Sequence, residues 1–210
     1  MYAKFFKRLI DFILSLIALI VLSPVLLILT VIGAIVMKGN PFFVQKRPGM
    51  INKKTGQERI ISLIKFRTMT NSKDSEGNLL PDEKRLVPYG RFLRSTSLDE
   101  LPSLLNIVKG DLGICGPRPL LVAYLPRYSA EQRRRHEVRP GLTGYAQAYG
   151  RNSLTWKEKF EKDIYYVDHV SLSLDIKIIF KTVSSVLKRE GISSETSATM
   201  EEFMGNESEE

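Results

Sequence analysis

The first pattern in the chain is a stretch with almost no polarity: residues 12 to 37 run for 26 positions without a charge. At 1.5 Å per residue such a helix reaches about 39 Å, against a hydrocarbon core of about 30 Å. Length alone predicts a membrane span. Ser23-Pro24 sits at its middle, where proline removes a backbone donor and clashes with the turn before it, so a kink is expected. Lys4, Lys7 and Arg8 precede the run while Lys38, Lys46 and Arg47 follow it, so positive charge does not separate its two ends. Two arms of roughly 18 to 21 Å suit a dip into one leaflet, and the full length suits a crossing; the pattern leaves both open. A secretory leader fits poorly, because the run is longer than an ordinary apolar leader core and no small-residue cleavage site follows promptly.

Beyond residue 38 the period changes. Gly39-Asn40-Pro41 is a turn, Phe42-Phe43-Val44 a short strand, Gln45-Lys46-Arg47-Pro48-Gly49 a further turn, and Ile60-Ile61-Ser62-Leu63-Ile64 a second β-prone run. A small hairpin is predicted. It delivers Lys65 and Arg67, two apart and therefore on one face of an extended chain. Residues 70 to 84 read as an exposed loop, and Pro88 opens a short helix carrying Arg91 and Arg94. Ser97 and Glu100 have capping-box spacing ahead of the helical pattern Leu101, Leu104, Leu105, Val108, which puts Asp99 and Glu100 in a first turn where the helix dipole favours anions. Gly110 ends that helix.

Two Gly/Pro-rich loops follow. Residues 110 to 119 carry Asp111 and hold Arg118 between two prolines; residues 139 to 144 carry Arg139 and lead to Gln147, Tyr149 and Arg151. Between them, residues 129 to 138 read as a charged helix capped by Ser129, with Arg133, Arg134 and Arg135 on a solvated or lipid-headgroup face. Trp156 and Phe160 share a helical face. A last amphipathic helix over 174 to 189 sets Ile178, Ile179, Val183, Val186 and Leu187 against Lys177, Lys181, Lys188 and Arg189. It suits a core or a membrane surface. The Ser-, Thr- and Glu-rich segment after it is expected to be disordered.

Composition narrows the chemistry. One cysteine and two separated histidines exclude a disulfide framework and a zinc cluster, and fit a reducing environment. The net charge is +8, but residues 191 to 210 hold six Glu and no Lys or Arg, and taking those six charges away leaves +14 on the rest. So basic a body implies an anionic partner: nucleic acid, a membrane surface or a phosphate-bearing substrate. A non-catalytic, membrane-anchored module binding anionic lipid or nucleic acid accounts for the charge and the anchor. It does not account for the acidic pair, nor for two Gly/Pro loops bearing arginine, and no recognised nucleic-acid motif is present.

The apolar run broken at Ser23-Pro24, Lys65-Phe66-Arg67-Thr68-Met69, residues 94 to 102, Lys109-Gly110-Asp111, Gly116-Pro117-Arg118-Pro119 and Arg139-Pro140-Gly141-Leu142-Thr143-Gly144 resemble, in that order, the monotopic phosphoglycosyl transferases of bacterial glycoconjugate synthesis. The likeness runs from about residue 2 to 193 and is nearest to the small bacillosamine-phosphate transferase type. Each motif is weak alone and specific in sequence. Departures are Ser103 where glutamine is common, Leu112-Gly113-Ile114-Cys115 where Met-Ser is usual, and Tyr149 where Asn is frequent; they bear on sugar preference. Residues 51 to 64 also form a longer segment than in close relatives.

The resemblance implies an α+β, mainly helical monotopic membrane protein. Residues 1–38 would form a re-entrant helix-break-helix anchor, 39–192 a catalytic domain with interfacial amphipathic helices and the hairpin, and 193–210 an acidic tail. It implies transfer of a sugar 1-phosphate from a UDP-sugar to polyprenyl (undecaprenyl) phosphate, releasing UMP, at the cytoplasmic face of the bacterial inner membrane, as the first membrane step of glycoconjugate synthesis. Asp99 would be the nucleophile and a ligand of Mg²⁺, with Glu100 assisting. Lys65, Arg94 and Arg118 would surround the phosphates, Asp111 would support them, and Arg139, Gln147 and Arg151 would contact nucleotide or sugar. The implied partners are the donor, the acceptor and membrane lipids, without nucleic acid. Direct attack by the acceptor, with the acid pair only holding metal, fits the same residues.

Overall fold

The computed structural model describes residues 2–150, 154–187 and 202–205. Helix α1 (Lys7–Val21), entered through a π-helical turn at Tyr2–Phe6, and helix α2 (Ser23–Val36) meet at a 64° bend. Pro24 sits at the start of α2, where its missing donor is not needed, and Ser23 Oγ donates to the Ile20 carbonyl at 2.8 Å. The expected break therefore falls at Leu22, with Ser23-Pro24 opening the second arm. Among the described residues no single helix is long and apolar enough to cross a membrane; the bent pair is so only when taken together. Ile13, Ile17 and Ile20 of α1 and Leu27, Ile28 and Ile35 of α2 stand exposed.

The other face of α1 is polar and buried. Lys7, Asp11 and Ser15 repeat every fourth residue. Lys7 Nζ lies 2.7 Å from Asp175 and 3.6 Å from Asp11. Tyr166 donates to the second oxygen of Asp175 at 2.7 Å, and Asp11 accepts the Ile114 N–H at 3.2 Å. These bonds tie the helix pair to the body.

Strands β1 (Phe42–Ile51) and β2 (Glu58–Phe66) form an antiparallel hairpin with Phe43 opposite Lys65, Arg47 opposite Ile61 and a bulge between Pro48 and Ile51. Residues 45 to 49, expected as a turn, lie inside β1. Pro48 is tolerated there because a two-stranded ribbon consists only of edges. Gly49 is required by close approach, since a Cβ would stand 2.9 Å from the Arg59 carbonyl oxygen.

The expected loop over 70 to 84 contains the short helix α3 (Asp82–Arg85) and leads to α4 (Pro88–Thr96). A 3-10 segment, Leu98–Ser103, runs into α5 (Leu104–Lys109), which Gly110 ends in the left-handed region at φ 92°. The two Gly/Pro loops then meet: β3 (Gly113–Cys115) pairs in parallel with β4 (Gly141–Thr143). A Cβ on Gly141 would lie 2.1 Å from the Gly116 nitrogen, so the crossing demands glycine. Between these strands come a 3-10 turn at Val122–Arg127, α6 (Ala130–Arg133) with the expected Ser129 cap, and a second 3-10 turn at Arg134–Glu137. Helices α7 (Tyr145–Ala148), α8 (Trp156–Asp168) and α9 (Leu172–Leu187) complete the described body.

The core under the hairpin joins Ile61, Leu63, Leu104, Ile107 and Leu112, with Ala18, Leu19 and Leu22 of the bent helix pair packed on it. Full burial of such side chains contributes about 1.5–3 kcal/mol each. On α9, Ile178 is buried while Ile176, Phe180 and Val183 are exposed. The three arginines expected on a solvated face divide. Arg133 pairs with Glu58, Arg134 with Asp168 and Glu131, and Arg135 is only 2% exposed and pairs with Asp163. The charged helix breaks at Arg134, which turns one arginine inward. The tail also departs from expectation where it is described: Phe203 is buried. Lys188, Arg189 and most of the acidic segment lie outside the described residues.

Candidate active site

The acidic pair stands where two backbones are locked together. Ser103 Oγ donates to the Ile64 carbonyl at 2.7 Å, and the Asn106 side chain accepts from Ile64 N–H at 3.0 Å and donates to the Ser62 carbonyl at 2.8 Å. These bonds hold the 3-10 segment and α5 against β2, which brings Glu100 to Lys65. The predicted capping box does not form. Ser97 is the left-handed C-cap of α4, with φ 57° and no side-chain cap, and Glu100 reaches elsewhere. Lys65 Nζ donates to its Oε1 at 2.6 Å, and Arg118 Nη2 donates to the same oxygen at 2.5 Å.

The two carboxylates consequently differ. Burial works against the charge on Glu100, but Arg118 and Lys65 outweigh it and hold the carboxyl well below the usual range. Burial, then the neighbouring Glu100, push Asp99 from 3.8 up to about 6, opposed by Lys65, Arg118 and Arg94. Among the described residues none donates a hydrogen bond to the Asp99 carboxylate. Burial and then Arg118 depress Lys65, and Glu100 raises Arg118 above its ordinary value.

Asp99, Glu100, Lys65, Arg94, Arg118 and Gln147 all line one cavity of about 960 Å³, at the upper end of ordinary ligand pockets of roughly 300–1,000 Å³. Arg94 is steadied by Thr68 Oγ1 at 3.1 Å. Gln147 donates to the Leu142 carbonyl at 3.2 Å, and its amide oxygen is buried without a partner among the described residues. Two expected members are placed elsewhere. Asp111, its side chain 1% exposed, sits between Arg59 at 3.1 Å and Lys109 at 3.3 Å, and Arg139 donates to the Gly110 carbonyl at 3.2 Å; neither lines the cavity. Arg151 lies outside the described residues.

The sequence reading missed Arg47. It enters the cavity beside Arg118, donates to Gln45 at 2.6 Å, and leaves its Nε buried without a partner among the described residues. Burial, then Arg118, pull its guanidinium down to about 10. Arg118 holds Glu100, whereas Arg47 has no carboxylate partner among the described residues; a guanidinium so placed suits an anion. The signal was there: the period-2 face of β1 that carries Phe43 and Gln45 also carries Arg47, but Pro48-Gly49 disguised the strand. Arg67 and Arg135 line the same cavity.

An acidic pair thus lines a cavity rich in arginine and lysine, and the class of protein is shared with known chains. Residues 2–189 match the family model described as bacterial sugar transferase, and the chain belongs to that family. An uncharacterised sugar transferase of Bacillus subtilis strain 168, EpsL, is 49% identical over 201 residues, 95% of this chain and 96% of that one. The UDP-glucose:undecaprenyl-phosphate glucose-1-phosphate transferase of Klebsiella pneumoniae is 40% identical over 188 residues, 85% of this chain and 39% of its own. The undecaprenyl-phosphate galactose phosphotransferase of Salmonella typhimurium is 33% identical over 207 residues, 90% and 42% of the two chains. The chain thus spans nearly all of the Bacillus protein and about two-fifths of the other two.

Proposed function

We propose that this protein transfers a sugar 1-phosphate from a UDP-sugar to undecaprenyl phosphate and releases UMP, by way of an aspartyl phosphosugar on Asp99. The observation that carries the reading is the division of labour in the acidic pair. Glu100 engages Lys65 and Arg118, while the Asp99 carboxylate faces the cavity with no hydrogen bond from a described residue. A carboxylate attacks phosphorus without first losing a proton once it is ionised. An Asp99 oxygen would bond to the β-phosphorus as the bridging P–O bond breaks and UMP leaves with that oxygen. An oxygen of the acceptor phosphate would then attack the same phosphorus, the acyl-phosphate P–O bond would break, and the Asp99 carboxylate would return. Lys65, Arg118, Arg94 and Arg47 offset the charge of the diphosphate.

The donor set suits Mg²⁺, which binds through one or two carboxylates together with substrate phosphate oxygens. The Asp99 oxygens are unengaged, and among the described residues no group of three His, Cys, Asp or Glu could hold a metal unaided. Bound at Asp99, the ion would help neutralise the transferring phosphoryl group.

The bent helix pair supports a re-entrant anchor. Among the described residues nothing covers the exposed apolar side chains such as Ile17, Ile20, Leu27 and Ile35, and basic residues stand at both ends. Such an anchor would set the site at headgroup level on the cytoplasmic side, where a lipid phosphate and a soluble nucleotide can meet. Ala3→Cys and Asn40→Cys should label from the same membrane face, since the native Cys115 is buried; labelling from opposite faces would exclude the dip. For the chemistry, the protein is incubated with a panel of UDP-sugars and no acceptor. A stoichiometric UMP burst and a phosphosugar adduct at Asp99 by intact mass are expected with the sugar it accepts. Turnover without either supports direct attack by the acceptor, and undiminished turnover by Asp99→Asn overturns both versions.

A further inference from the structure

Four rings form an aromatic pocket: Tyr124, Tyr128, Trp156 and Phe160. Phe203 fills it. Its side chain is 2% exposed, with centroid separations of 5.1 Å to Phe160, 5.3 Å to Trp156 and 5.8 Å to both tyrosines, those to Phe160 and Tyr124 edge-on. At the rim Arg127 donates to the Glu202 carboxylate at 2.8 Å and to the Phe203 carbonyl. Met204, the next residue, is 77% exposed, so a single side chain makes the insertion. The segment is acidic and apolar by turns, and it meets a basic body.

The floor of this pocket is also a wall of the donor cavity. The guanidinium of Arg135 lies 5.8 Å from the Tyr128 ring centroid and 5.6 Å from that of Phe160. It pairs with Asp163 at 2.6 Å and donates to the Arg118 carbonyl at 2.8 Å. Arg118 in turn grips Glu100. An unbroken set of contacts therefore runs from the Phe203 ring through Tyr128 and Phe160 to Arg135, and from there to the backbone of the arginine beside the acidic pair. Phe203, Phe160 and Arg135 in that path are all buried, so displacement of the Phe203 ring is passed on by packing toward the cavity wall that Arg135 forms.

We propose that the aromatic pocket between Val122–Arg127 and α8 is a docking site for the chain's own acidic segment, residues 202–205, and that seating Phe203 there positions Arg118, through Arg135, toward the donor's phosphates. Phe203 is thus a positioning residue, and the tail is part of the catalytic unit. The positioning half rests on the donor reading given above; the docking half does not.

Trp156 makes the docking directly visible, because it is the only tryptophan in the chain and forms one wall of the pocket. In the full-length protein, Phe203→Ala should red-shift Trp156 emission and raise its acrylamide quenching about twofold. A millimolar heptapeptide of residues 199–205 should reverse both in that variant, and the same peptide with alanine for phenylalanine should not. Arg127→Gln, which leaves every ring in place, should act in the same direction by less. With UDP as probe, Phe203→Ala should bind about five- to tenfold more weakly, with most of the affinity recovered by Phe203→Leu or by the peptide. Unchanged emission in Phe203→Ala, or a change the peptide cannot reverse, overturns the docking. Restored emission with UDP affinity equal in wild type and Phe203→Ala overturns the positioning and leaves the docking standing. A wild-type protein that binds no UDP overturns the donor reading and the positioning together, while the fluorescence still reports the docking.

Discussion

Replacing Glu100 by glutamine should move the acid limb of catalysis downward. Burial, then the Glu100 charge, hold Asp99 near pH 6. Glutamine removes that charge and leaves Lys65 and Arg118 with only a neutral partner, so both changes favour the ionised aspartate. An aspartate titrating at about 6 is about one-tenth ionised at pH 5 and about nine-tenths at pH 7. If the substitution lowers it by about one pH unit, half is ionised at pH 5. The variant should then keep about five times the wild-type fraction of its own plateau rate at that pH. The plateau itself should drop, by about 10²-fold, because the two cations lose the charge that aims them. The assay is the rate of the acceptor-free UMP burst against pH, which keeps the acceptor's own phosphate from titrating in the profile. The donor diphosphate is ionised throughout the range. Identical limbs in wild type and variant, or a limb displaced upward, would refute the assignment of the pH 6 group to Asp99 and of its coupling to Glu100.

Three further substitutions separate binding from architecture. Arg47→Met should weaken donor binding about tenfold, about 1.4 kcal/mol, without lowering the melting temperature of the free protein, since burial and Arg118 already disfavour that charge; calorimetry reads both, and a lower melting temperature with unchanged donor affinity contradicts it. Asn106→Ala should cost about 2–3 kcal/mol in denaturant unfolding, because it strands the Ile64 N–H and the Ser62 carbonyl. It should also slow turnover by loosening Glu100 from Lys65, and a destabilised variant with wild-type turnover would break that link. Asp111→Asn should lower stability by about 1–3 kcal/mol and leave kcat/KM within about twofold, its carboxylate lying between Arg59 and Lys109 outside the cavity; a donor-affinity loss at intact stability would return Asp111 to the site.

What could be read in the sequence was what depends on neighbours along the chain. The break at Ser23-Pro24, the cap at Ser129, the stop at Gly110 and the shared face of Trp156 and Phe160 are each set within about four residues, and each is found. Where reading failed, a distant partner had decided. Pro48-Gly49 is turn chemistry that a paired edge strand accommodates. Arg133, Arg134 and Arg135 look equivalent, yet only one meets Asp163, 28 residues on, and is buried for it. Phe203 lies in a segment whose composition predicts disorder; four aromatic rings supplied by two earlier stretches outweigh that composition locally.

The acidic pair shows the same division at the scale of one site. Along the chain Asp99 and Glu100 are neighbours of like charge, and nothing local assigns them different work. Lys65 and Arg118, 35 and 18 residues from Glu100, both close on it. Each cation spent on Glu100 fixes a charged group in the cavity without occupying Asp99. Arg118 and Lys65 drive one carboxylate below the ordinary range, while burial and then the neighbouring Glu100 raise the other to about 6. Neighbouring acids separated in this way fall into different roles, one permanently charged and structural, the other poised near the working pH. The asymmetry is a property of the fold: exchange of Lys65 or Arg118 for a neutral residue would raise both carboxyls, with both acids intact.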